Sequence, residues 1–529
     1  MAANRGVKIQ IALLIAITAL TLAVCYLVGR HVWHIGVPGE WQWAFYSSDR
    51  VPWGSPVIPA VIGVLVLVIA GCAVYGAIRK APKPLVEAEE PSGARAGAAL
   101  CAMMAAALLL QGVLPDATPL GPAEAVQVTA VPSVGGYWAE SLNVAGLREY
   151  LAKYPDRIRG ISVNDASWGH LSDHPPGAII VHWAVNHATA AWPGLAESFW
   201  PSDVVNDTLR QLTQSMLHRR VSQAEMAGVV ASAWVWRFLA VLTIIPAYLL
   251  TRAAYSRRAG LAAAAFCALI PALNMFAPYP DQILPVIAVT SFYFFWRAAK
   301  GGSFWWAAAG GLVIFVGLQF TLAIAVILLT IGVAAALIIL QARLSKDPQA
   351  LSPRAWAARA AMGLAGFVAP ALALKLFLDY DVLDVWRTCF VKHAEFAQLF
   401  GRTYWKWALF SPVEMALFMG VPAACLVVWR LARQARGAAL RKTPPDAAPP
   451  LDVVLWSLAV TVLVLDVSGK SLGEVGRLWM FLMPFGAMAA AEEVSRWRKH
   501  GAFVVILTAL TGLQLFYFRV SLNVFGTLG

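Results

Sequence analysis

SDHPPGAIIVHWAVNHATAAW (172–192) decides how this chain is threaded. Its two prolines stiffen the entry, because each fixes its own φ and pushes the preceding residue toward extended geometry. The stretch 178–192 carries His182, Asn186 and His187, and it is short of the roughly 20 residues that cross a hydrocarbon core. If it crossed, RAAYSRR (252–258) would end outside and every later loop would change sides. Laid flat at the interface, it places Trp183, Trp192 and Trp200 among the headgroups and keeps the arginine-rich loops on one side. HPPG therefore does not begin a membrane span.

Composition sets the frame for that reading. Of 529 residues, 59% are hydrophobic and 13% charged, whereas soluble domains keep about a quarter charged. IQIALLIAITALTLAVCYLV (9–28) and TLAIAVILLTIGVAAALIIL (321–340) each run 20 residues without a formal charge. Spanning backbone must satisfy its own hydrogen bonds, so the fold class is all-α and polytopic. Thirteen spans are expected, near 9–29, 57–78, 97–114, 228–251, 259–277, 282–297, 303–320, 321–340, 358–378, 407–429, 451–466, 478–492 and 501–518. Starting inside, this count puts Arg79, Lys80, Lys83, Arg252, Arg257, Arg258, Arg430, Arg433, Arg436, Arg441, Lys442 and Arg496 in cytoplasmic loops. Membrane topology thus accounts for the basic balance without nucleic acid. Five of the six cysteines lie in apolar runs and Cys389 sits in an outer segment, with no disulfide framework or metal-ligand spacing.

Polar residues gather on the outer side, in segments 115–227, 379–406 and 466–477. The first is expected to form a cap of interfacial helices; 81–97 and 441–450 read as flexible linkers. Glu140, in GYWAESLNV, is either a solvated carboxylate or a base whose pKa is raised by partial desolvation. Asp281, in APYPDQILPV, suits a helix N-terminus. Arg237 lies inside a span, where a charge costs about 2.5–3.5 kcal/mol unless partnered, so it points to an outer carboxylate. LDVSGKSLGEVGRLWMFLMP (465–484) packs Asp466, Lys470, Glu474 and Arg477 into a short glycine-containing loop suited to a phosphate. Arg387 and Lys392 are basic yet external, against the positive-inside trend, and an anionic lipid would explain them.

An outer loop ending in HPPG, an interfacial helix, and then WRFLAVLTIIPAYLLTRAAY resembles the C-type membrane glycosyltransferases, above all the protein O-mannosyltransferases and aminoarabinose transferases. In those families the loop closes on His/Lys-Pro-Pro-Leu. GEVGRLWMFLMP resembles a motif of actinobacterial-type polyprenyl-dependent transferases. The resemblance covers about 97–340 plus 466–484 and leaves 1–80 as an added two-helix membrane piece; 341–529 supplies the C-terminal helices. It implies a glycosyltransferase C-like fold in the cytoplasmic membrane, with the active site facing outward. A polyprenyl-phosphate sugar and membrane lipid would be the partners, with a glycan, lipid or protein as acceptor. Arg477, Lys470, Arg387, Lys392 and Arg237 would hold phosphate, Asp281 and Glu474 would line the binding site, and Glu140 or Asp116 would be the base with His174 beside it. The family's Asp-Glu pair has no counterpart here. No cofactor is implied and no metal ligand is assigned, while a divalent metal stays open. The competing expectation is a lipid or glycan transporter or flippase, which needs more polar groups at mid-membrane than these spans carry.

Overall fold

The computed structural model describes residues 2–47, 57–77, 93–131, 134, 136–165, 168–217, 220–399, 401–439 and 452–526. Of the linkers read at 81–97 and 441–450, residues 81–92 and 441–450 lie outside those described, as do Arg79, Lys80, Lys83, Arg441 and Lys442, whereas 93–97 are helical rather than linker.

The chain enters as α1 (Ala2–Gly29), folds through β1 (Gly36–Val37), β2 (Trp41–Gln42) and β3 (Ala44–Phe45), and continues as α2 (Val57–Ala77) and α3 (Gly93–Val113). β1 pairs antiparallel with β2, and β3 pairs with β4 (Leu522–Asn523). Segments near the two ends of the sequence therefore meet. α1 packs on the C-terminal helix and α2 lies between that helix and α3, so these two helices are built into the bundle.

The expected cap is α4 (Ala123–Ala130), α5 (Tyr137–Ser141), α6 (Leu147–Arg159), α7 (Gly169–Ser172), α8 (Gly177–Ala191), α9 (Pro193–Ser198) and α10 (Asp203–Leu217). It has a small core of its own, in which Trp138, Ala139, Leu209 and Val229 are buried together. The decisive stretch forms α8, which lies along α5 and the following helix, α11 (Gln223–Val241). A capping box starts α11: Ser222 and Glu225 satisfy each other's backbone N–H groups.

The rest of the bundle is α12 (Ile244–Ala254), α13 (Arg257–Ala268), α14 (Pro271–Met275), α15 (Ile283–Ala299), α16 (Trp305–Gly317), α17 (Val326–Leu344), α18 (Pro353–Leu378), α19 (Val382–Gln398), α20 (Tyr404–Met419), α21 (Val421–Ala439), α22 (Val453–Ser468), α23 (Val475–Leu478), α24 (Met483–Ser495) and α25 (His500–Ser521). Among the described residues, eight helical stretches are long and apolar enough to cross a membrane, and Trp305–Gly317 and Val453–Ser468 are shorter apolar helices. These ten match ten of the thirteen expected spans. The other three, 259–277, 407–429 and 478–492, are helices broken into pieces: α13 with α14, α20 with α21, and α23 with α24. The count of thirteen is thus not reproduced as continuous spans, while the helical multi-pass architecture is. α13 and α24 have all but one residue buried, and their alanines let them pack closely at the centre. At the opposite extreme, α18 buries none of its residues and presents Leu364, Leu372, Leu376 and Phe377 outward, as a lipid-facing helix does.

Candidate active site

The breaks in those central helices bring polar turns together at one end of the bundle. His174 follows α7, and its Nδ1 lies 2.9 Å from the His170 carbonyl and 2.6 Å from Asp173 Oδ1. Both are acceptors, so Nδ1 carries a proton in either charge state, and Nε2 carries a second one when the ring is charged. The other Asp173 oxygen meets His393 Nδ1 at 3.1 Å, brought in by α19. Burial opposes charge on Asp173, but His174 and His393 outweigh it and hold the carboxyl well below its usual range. Burial also opposes charge on His174; the Asp173 carboxylate, with help from Asp281, lifts its pKa above the ordinary 6.5. His170, buried near Arg477, is pushed down to about 4.

Asp281 lies in the turn leading into α15 and makes no capping bond to that helix. It pairs instead with Arg477, whose Nε is 3.5 Å from Oδ2. The Arg477 guanidinium sits 5.3 Å above the Tyr279 ring and meets Glu474 at 3.3 Å. Arg402 contacts the other Glu474 oxygen at 3.2 Å. Burial would raise the Glu474 pKa, and the two arginines together bring it below its ordinary value. Tyr137 closes the group, with ring centres 5.8 Å from His174 and 6.3 Å from Tyr279. Side-chain exposure rises from 5% at Asp173 through 14% at Asp281 to 23% at Arg477, so the group opens toward solvent at the arginine. The pairing of Asp281 with Arg477 is loose: Arg477 Nε is buried without a hydrogen bond.

HPPG is fastened at its end. Tyr154 donates to the His174 carbonyl at 2.8 Å, and the Gly177 N–H donates to the Gln319 carbonyl at 2.7 Å. A Cβ at 177 would collide with that carbonyl, so glycine is what the contact permits.

His174, Asp281, Glu474 and Arg477 therefore converge. Glu140 does not join them directly. It is 1% exposed, accepts two bonds from Arg157 at 3.0 and 2.9 Å, and takes Tyr150 at 3.2 Å and Asn143 at 3.3 Å. These donors saturate its oxygens, so the carboxylate expected as a base ties α5 to α6. Asp116 and Arg237 belong to a second group. Arg237 is 5% exposed, stacks at 5.0 Å on Trp234, and has a buried Nε without a partner. Its surroundings are Arg519, Glu124 and Asp116. Glu124 pairs with Arg519 and also accepts from Tyr46 at 2.7 Å and Thr118 at 3.0 Å. Arg387 and Lys392 line a cleft of about 480 Å³ on α19 with Arg159; Lys392 donates to the Ile161 carbonyl at 3.0 Å. Lys470 is exposed at the tip of its loop. Cys389, expected in an outer loop, is buried on α19.

Sequence reading noted His393 and Arg402 among the basic residues of 379–407 without assigning them to the site, and it did not single out Tyr279. His393 and Arg402 sit in a segment already marked as basic, but nothing local distinguishes them from their neighbours. Among the described residues, no group of three or more His, Cys, Asp or Glu could hold a metal ion.

No family model matches the chain, and no curated protein does. Among solved structures, the Archaeoglobus fulgidus oligosaccharyltransferase, crystallised with zinc and sulfate, is similar over 65% of this chain and 45% of its own, at 14% identity and a TM-score of 0.33. The chain thus spans less than half the length of that protein, and a likeness this slight carries no argument about chemistry.

Proposed function

We propose that this protein is an integral membrane glycosyltransferase that moves a sugar from a polyprenyl-phosphate donor to a hydroxyl acceptor at the outer face of the cytoplasmic membrane. The observation that carries the reading is the meeting of Arg477, Asp281 and His174, from three distant segments, in one partly exposed group with incompletely used valences. Arg477 offers its fork to the donor phosphate, and protonated His174 adds a second positive charge. The acceptor O–H attacks the anomeric carbon while the bond from that carbon to the phosphate oxygen breaks. The electron pair leaves on the lipid phosphate facing Arg477, and the acceptor proton passes to Asp281. Asp281 replaces Glu140 as base because Glu140 has no free lone pair to offer. Asp173 holds the His174 ring in place through its Nδ1–H, and Tyr137 and Tyr279, set at 65° to one another, close the group behind it.

The test is reconstitution in lipid vesicles with a radiolabelled polyprenyl-phosphate sugar and candidate hydroxyl acceptors. The expected result is labelled acceptor together with free polyprenyl phosphate. Labelled lipid that changes leaflet with its sugar still attached would instead establish the transporter reading.

A further inference from the structure

The hairpin formed by β1 and β2, with the strand that follows it, touches the candidate site by two separate routes. Trp43 is 4% exposed and wedged against Phe276 and Phe418, at 5.4 and 5.3 Å between ring centres. Its indole N–H donates to Glu414 Oε1 at 3.0 Å. That same oxygen accepts the backbone N–H of Gly476 at 2.9 Å, the residue immediately before Arg477. Position 476 leaves no room for a side chain: a Cβ there would lie 2.6 Å from the Phe418 ring on which Trp43 packs.

The second route starts at the hairpin tip. Glu40 accepts from the Thr403 N–H at 2.8 Å, the Trp407 indole at 2.9 Å and Lys406 at 2.9 Å. These bonds cap the start of α20 with a carboxylate from a remote part of the chain, and they hold the Glu40 carboxyl down at about 2. Arg402, next to Thr403, lies against Trp41 and Trp407, at 5.7 and 5.6 Å from their ring centres. It reaches both the Leu472 carbonyl and Glu474. Both routes end in the loop that carries Glu474 and Arg477. The far side of the hairpin is anchored independently, by the β3–β4 pairing and by Tyr46 on Glu124.

We infer that residues 36–45 are a positioning element for the anion-binding loop, with Trp43 acting through Glu414 and Glu40 acting through Arg402 to fix where Arg477 presents its guanidinium. This rests on the proposed role of Arg477 in holding a lipid phosphate, and it assigns a purpose to the N-terminal segment. Glu40 and Trp43 touch no substrate.

The experiment uses the full-length protein in detergent, titrated with geranylgeranyl phosphate, with the melting temperature followed in parallel. Trp43→Phe keeps the ring packing and removes only the N–H; Glu40→Gln keeps size and removes charge. Trp43→Phe is expected to weaken geranylgeranyl phosphate binding about tenfold, with the melting temperature held within about 4 °C. In an Arg477→Lys background the same change should cost much less, because the group being positioned is already altered. Binding unchanged in Trp43→Phe and in Glu40→Gln, or losses that add in full to Arg477→Lys, would overturn the inference. If Trp43→Phe melts early, Glu40→Gln alone decides by the same comparison. Failure of the underlying reading looks different: Arg477→Ala itself would then bind geranylgeranyl phosphate like the unaltered protein.

Discussion

Two groups of buried charge lie at opposite ends of α13 and α24, about 20 Å apart by helix rise, and they are put together differently. At one end Arg430 pairs with Asp452 at 2.6 Å and Glu493 at 3.4 Å, Arg433 with Glu493 at 2.6 Å, and Arg496 with Glu492 at 2.6 Å. Three arginines balance three carboxylates there, and Tyr255, Trp497 and the Leu455 N–H take up further oxygens. Arg430 and Asp452 are 2% and 3% exposed. At the other end Arg477 and Asp281 meet only at 3.5 Å and are 23% and 14% exposed. Charge at a helix end is therefore no mark of function by itself. A saturated pair shut from water, such as Arg430–Asp452, holds helices together; loosely matched charges beside solvent keep capacity for a ligand.

The sharpest way to break this contrast is to truncate one arginine from each group. Arg477→Ala should lower sugar transfer by about 10³-fold or more while the protein stays monodisperse in detergent. Arg430→Ala should do the reverse, costing about 3–5 kcal/mol because Asp452 and Glu493 lose a buried partner; thermal unfolding in detergent reads it. If both variants lose activity and stability together, the two groups are not different in kind.

Asp281→Asn and Glu140→Gln then separate an available carboxylate from a committed one. Transfer should fall about 10²-fold or more in Asp281→Asn and stay within about tenfold in Glu140→Gln, the scale of one weakened charged hydrogen bond. Initial rates at saturating donor distinguish them. A pH profile probes the same end more gently. The His174 pKa is raised, so its charge is complete below the ordinary 6.5 and is lost as pH climbs through the elevated value. Donor binding should weaken along that alkaline limb, and Asp173→Asn should move the limb to lower pH. The smallest effect belongs to the rim of the saturated group: Arg496, 55% exposed on its side chain, should cost no more than about 1 kcal/mol when changed to Ala.

Much of this arrangement could be read from sequence. Apolar run length located the helices, and the stretch after HPPG forms α8, a helix of 15 residues. Arg477, Glu474 and Asp281 stood out because charges in short turns between apolar helices have few places to go. Glu140 misled because its partner, Arg157, lies 17 residues away on α6, and only the packing of α5 on α6 brings them together. Arg237 is expected from sequence to meet an outer carboxylate; Asp116 and Glu124 both lie in its surroundings without pairing to it, and they are joined there by Arg519, 395 residues from Glu124 in sequence. The broken helices were missed for a related reason: hydropathy averages over a window and is blind to a turn that interrupts a span buried in protein.

Gly177 has a reach beyond its own loop. Its N–H grips the Gln319 carbonyl, the Gln319 side chain accepts from the Tyr380 hydroxyl at 3.0 Å, and Tyr380 leads straight into the helix bearing His393. One added methyl group at 177 would shove this linkage from its far end, disturbing the imidazole that shares Asp173 with His174 without touching either. The missing Cβ at 177 thus leaves room for a run of bonds that ends at the entrance to α19.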